Sequence, residues 1–92
     1  MKKSATFRRV CKAVENRAYD YRKYWLNKDE CYWLARLVEE VGELASSLAN
    51  HHEHSPDVEL LQIASIAVNW MVRRECLADP KTVEDYDSML IR

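Results

Sequence analysis

One Gly and two Pro among 92 residues leave this chain almost nothing with which to turn hairpins or set β-bulges. Strong helix formers fill most other positions, so the expected fold class is all-α. The length suits a single domain, residues 1–92, near the lower end of what sustains its own core.

Helical periodicity then divides the chain. Phe7, Val10, Cys11, Val14, Ala18, Tyr21 and Trp25 predict a first helix over about 6–25. Asn27-Lys28-Asp29-Glu30 reads as the next start, with Asn27 as cap and Glu30 closing a capping box. The second helix is expected to reach about residue 50, a length of about 34 Å. Its apolar stripe comprises Leu34, Leu37, Val38, Val41, Leu44, Ala45 and Leu48. Gly42 leaves a gap in side-chain volume there, open to close approach by a helix or ligand, or simply tolerated at the surface. His51-His52-Glu53-His54 reads as a polar connection, since consecutive loop positions rarely converge on a metal. Ser55-Pro56 then caps and opens a third helix over about 56–75. Asp79-Pro80 restarts a short C-terminal helix packing through Val83, Tyr86, Met89 and Leu90.

The third helix carries the longest uncharged run, thirteen residues from Leu60 to Val72. That is shorter than the roughly 20 apolar residues of a membrane span, so burial in protein is expected, and no membrane association. Apolar residues cover nearly its whole circumference, which predicts enclosure on all sides. A chain this short has few other helices to enclose it, and a homodimer using this helix is inferred. Its polar interruptions Gln62, Ser65 and Asn69 share one side with Glu59, as a satisfied network or as the wall of a site.

Charge is unevenly spread. Residues 1–28 carry nine Lys/Arg against Glu15 and Asp20, whereas residues 29–59 carry eight acids against Arg36. A basic arm beside an acidic centre suits a protein that handles an anion and a cation together; it also suits two segments that pair with each other. Nucleic-acid binding through the basic arm would rest on charge alone and is not expected. Cys11, Cys31 and Cys76 are odd in number and lack metal-type spacing. With no signal peptide in view, they read as reduced thiols of a cytoplasmic protein.

Glu40 and Glu43 leave the second helix on one side, at the edge of its apolar stripe, and Glu59 opens the third helix. Two carboxylates about 4 Å apart repel by roughly 4 kcal/mol at an effective dielectric near 20. Three converging groups must therefore splay into water or be neutralised by a proton or a cation. All-oxygen ligands point to Mg²⁺, with Mn²⁺ as substitute, and Mg²⁺ favours a phosphate co-ligand.

The run Glu39-Glu40-Val41-Gly42-Glu43-Leu44, followed by Glu59-Leu60-Leu61-Gln62 and an apolar helix, resembles the MazG-like all-α nucleoside triphosphate pyrophosphohydrolases. The likeness covers roughly residues 15–75, including Trp33-Leu34-Ala35. It implies a four-helix core completed by homodimerisation, sometimes as a tetramer. It also implies Mg²⁺-dependent hydrolysis of a (d)NTP to the monophosphate and pyrophosphate. On the family pattern ExxE…ExxD, Glu40, Glu43 and Glu59 become metal ligands, with Glu39 as a supporting acid. Gln62 departs from the pattern by standing where the family has Asp. It coordinates through its amide oxygen or, with Asn69, hydrogen-bonds the nucleotide. Trp33 is a candidate to stack on the base, and first-helix cations such as Arg22 and Lys23 to meet the phosphates. The competing reading is a non-catalytic helical dimer that binds nucleotides or partners.

Overall fold

The computed structural model describes residues 4–24, 26–50 and 55–79, and these are all-helical with no strand. Helix α1 spans Ala5–Tyr19, α2 Glu30–Asn50 and α3 Pro56–Ala78, with a single 3₁₀ turn at Arg22–Tyr24. Trp25, the stretch 51–54 with its His-rich connection, and the C-terminal helix expected after Pro80 lie outside the described residues.

α1 is shorter than the periodicity predicts. It stops at Tyr19, and Arg22 folds back to donate from Nη1 to the Tyr19 carbonyl at 3.0 Å. A cation on the last carbonyls favours a helix end there. The start of α2 also moves. Asp29, not Asn27, is the cap: its Oδ1 accepts from the Tyr32 N–H at 2.9 Å. Asn27 instead donates from Nδ2 to the Lys23 carbonyl at 2.7 Å. A carboxylate at the cap also meets the positive end of the helix dipole, an advantage the neutral Asn lacks. The cap of α3 is as expected, with Ser55 Oγ accepting from the Val58 N–H and Pro56 in the first turn.

α3 is the central element, with α2 and α1 both packed against it. Both run antiparallel to it. Glu30 at the start of α2 accepts from Trp70 Nε1 at 3.0 Å and also pairs with Arg74, whereas Glu40, farther along, meets Glu59. Similarly Arg17 near the end of α1 donates to Gln62, while Val10 and Val14 share a groove with Val68 and Val72. α1 and α2 thus supply part of the enclosure that the sequence alone assigned to a second copy.

The core is small: Trp33, Ile66 and Cys76 are buried, with Tyr24, Leu26, Tyr32, Leu37, Trp70 and Val72 packed around them. α3 turns inward the polar side that the sequence offered as a satisfied network or the wall of a site. Glu59, Ser65 and Asn69 are buried, whereas Leu60, Met71 and Leu77 are exposed. Ser65 and Asn69 tolerate this because each bonds its own helix, Ser65 Oγ to the Leu61 carbonyl at 2.7 Å and Asn69 Nδ2 to the Ser65 carbonyl at 2.9 Å.

α2 makes the same choice. Its inward face is Trp33, Leu37, Glu40, Leu44 and Ser47, while Leu34, Val38, Val41 and Leu48 are exposed. Gly42 lies on that exposed side, and a Cβ added there would meet nothing within 4 Å. The close approach that its missing side chain permits is not used within the single chain.

Candidate functional site

Antiparallel packing of α2 on α3 sets the first acidic turn of α3 against the middle of α2. Glu40 and Glu59, 5% and 2% exposed, are brought face to face, with Glu43 one turn beyond Glu40. Glu39, Glu40 and Glu43 each offer a carboxylate oxygen, and these oxygens lie within 4.8 Å of one another. Glu39 and Glu43 are exposed, so the cluster is a patch with a buried inner wall.

Burial is the largest influence on Glu40 and raises its pKa to about 7 from the ordinary 4.5. Hydrogen bonding to Glu59 and Glu43, and their like charge, push the same way. A shared proton is the natural way for such a group of acids to coexist without a cation.

Arg36 acts in the opposite direction. It donates from Nη1 to Glu39 Oε1 at 3.1 Å and from Nη2 to Glu40 Oε1 at 3.4 Å. Its side chain is 33% exposed and divided between two acids, too solvated to offset the burial of Glu40. Arg36 was legible only as the one base in an acidic segment; its signal is the i, i+3 and i, i+4 spacing to Glu39 and Glu40. Arg17, also missed, carries no comparable signal, because its partner lies 45 residues away.

The remaining candidates take several places. Gln62 Oε1 accepts from Arg17 Nε at 2.9 Å. Gln62 and Asn69 line a cavity of about 20 Å³ together with Tyr21, Tyr32, Trp33 and Arg36. That is room for one water molecule. Trp33 is core, 3% exposed and edge-on to Tyr32, and its buried Nε1 has no hydrogen-bond partner among the described residues. Its ring therefore has no free face for a base. Arg22 lies over the Tyr19 ring, 4.1 Å from its centroid, and Lys23 over Tyr24 at 5.2 Å. Both cations are thus engaged on local aromatic rings.

The clustered groups of Glu39, Glu40 and Glu43 offer only oxygen, the donor type that hard divalent cations take, and exposed acids of this kind are also common without an ion. The described cysteines are free, Cys11 and Cys31 exposed and Cys76 buried. Among the described residues no helix is long and apolar enough to cross a membrane. Comparison with known proteins adds no relative: no family model, curated protein or solved structure matches the chain.

Proposed function

We propose that the chain is a Mg²⁺-dependent nucleoside triphosphate pyrophosphohydrolase of the MazG-like type, acting in the cytoplasm on (d)NTPs and releasing pyrophosphate. The observation that carries this reading is the meeting of Glu40 and Glu59 across two helices, with Glu43 adjoining. Two facing acids would be a costly way to build an ordinary helix contact, since apolar pairs of similar volume pack as well or better.

Glu40, Glu43 and Glu59 would hold Mg²⁺ or Mn²⁺, with Glu39 available at the rim. When bound, the cation polarises the substrate phosphates and lowers the pKa of an attacking water. Glu40, its pKa raised to about 7, would have to release its proton to act as a ligand, so loading would weaken as the pH falls below about 7. Arg36 keeps Glu39 and Glu40 aligned on the same side of α2. A second copy is proposed to cover the exposed stripe Leu34, Val38, Val41 and Leu48, completing a four-helix core as a dimer or a tetramer.

Two observations favour the alternative, a non-catalytic nucleotide-binding or interaction module. Arg36 already supplies positive charge to the acids, and Gln62 is held by Arg17. Turnover separates the two readings. Canonical and damaged (d)NTPs incubated with Mg²⁺ or Mn²⁺ should release pyrophosphate, and Glu43→Gln should lower the rate by orders of magnitude. Nucleotide binding with no turnover of any substrate would select the module.

A further inference from the structure

The basic start of the chain and its acidic centre do not pair with each other within one copy. Arg8 and Arg9, exposed on the first half of α1, join no ion pair among the described residues, and Lys12 pairs with Glu15 of its own helix. On α2, Glu39 is held by Arg36 of the same helix, and Glu43 stands among other acids.

Both charged patches border uncovered apolar surface. An apolar groove of about 450 Å³ lies between α1 and α3, with Val10, Cys11 and Val14 on one wall and Val68 and Val72 on the other. Phe7 and Val10, which flank Arg8 and Arg9, are 52% and 55% exposed. Val38 and Val41, beside Glu39 and Glu43, are 62% and 48% exposed. We propose that in a two-fold dimer the α1–α3 groove of each copy receives the exposed α2 stripe of the other, setting Arg8 and Arg9 against the other copy's Glu39 and Glu43. This rests on the reading that a second copy covers the stripe; it adds which surface does so, and that this surface brings cations to the carboxylates.

Dimensions and charge agree. Val10 to Ala18 runs about 12 Å along α1, and Val38 to Leu48 about 15 Å along α2. On each helix the charges adjoin the apolar stripe, so seating the apolar faces brings opposite charges together at the rim. Gly42 lies on the seated face with nothing near it, which lets a neighbouring helix approach closely. The rival arrangement, stripe on stripe across a two-fold axis, sets Glu39 and Glu43 against the same acids of the other copy. Like charges then face each other, and Arg8 and Arg9 stay unpaired.

Cys11 lies in the groove and Val38 on the stripe, so a crosslink reads the arrangement in the full chain. In a Cys31→Ser background, Val38→Cys is oxidised under native conditions and its disulfides are located by peptide mass. Cys11 should be joined to position 38 of the other chain, in a covalent species no larger than a dimer. Arg8→Glu with Arg9→Glu should raise the dimer dissociation constant at least tenfold in sedimentation, as should high salt in the parent. All the substituted side chains are exposed, so the fold is kept. Position 38 joined to position 38, Cys11 joined to Cys11, a disulfide within one chain, or a ladder beyond the dimer would overturn the proposal while leaving a second copy on the stripe open. A dissociation constant indifferent to the arginine changes would overturn it equally. A parent that is monomeric at micromolar concentration would remove the second copy altogether, and pyrophosphate release would still judge the carboxylates independently.

Discussion

Replacing Glu40 by Gln should stabilise the metal-free protein at pH 8 and change it little at pH 4. The folded-state pKa of Glu40 is about 7, raised from 4.5, so the folded chain holds this proton more tightly than the unfolded chain. Between those values the folded state binds more protons, and stability falls as pH rises. The loss begins near pH 4.5 and is complete above about pH 7. A shift from 4.5 to about 7, at 1.36 kcal/mol per unit, amounts to about 3 kcal/mol. Gln is neutral throughout. Its amide N–H₂ donates to Glu59 or Glu43 as the protonated carboxyl does, and its oxygen still accepts from Arg36. The variant therefore escapes the loss, and its advantage over the parent should grow from near zero at pH 4 to about 3 kcal/mol at pH 8. For a domain of this size that is about 12–24 °C in Tm. Urea unfolding of both proteins at the two pH values, with chelator present, measures the difference directly. A stability gap equal at pH 4 and pH 8 to within about 0.5 kcal/mol would refute the argument, because Glu40 would then ionise as a solvated acid does.

Other outcomes follow from the same structure. Asp29→Ala should cost about 1 kcal/mol through loss of the α2 cap, while Asn27→Ala costs less; the reverse order in thermal melts would restore Asn27 as the cap. Val38→Glu or Val41→Glu on the exposed stripe of α2 should shift sedimentation from dimer to folded monomer, and a parent already monomeric at micromolar concentration would remove the second copy from the proposal. Mg²⁺ or Mn²⁺ with a nucleotide should raise Tm relative to chelator, by about 2.7 kcal/mol of stabilisation at one hundred times the dissociation constant. Identical melts in both conditions would mean that the acids serve the apo fold alone.

Much of the local structure was legible because its causes are local. Ser55-Pro56 sets the start of α3 through one hydroxyl and one fixed φ, and both act within a single turn. The scarcity of Gly and Pro, with helical periodicity, was enough to read the described residues as helices. Glu40, Glu43 and Glu59 stood out as acids beside apolar runs, and antiparallel packing brings them together. The end of α1 and the cap of α2 were misplaced because Arg22, Asn27 and Asp29 compete for backbone groups over a few residues, and small differences in geometry decide among them.

What the sequence could not decide was which side of α2 faces inward. Leu34, Val38, Val41 and Leu48 form a cleaner apolar stripe than Trp33, Leu37, Glu40, Leu44 and Ser47, one residue earlier. One residue is about 100° of rotation on a helix, so either stripe satisfies the same periodicity. The choice was made by the surface of α3, which turns Glu59, Ser65, Ile66 and Asn69 inward and accepts Trp33 against Ile66. A helix of either rotation obeys the local rules equally well, and the partner's shape and polarity exist only once the chain has packed.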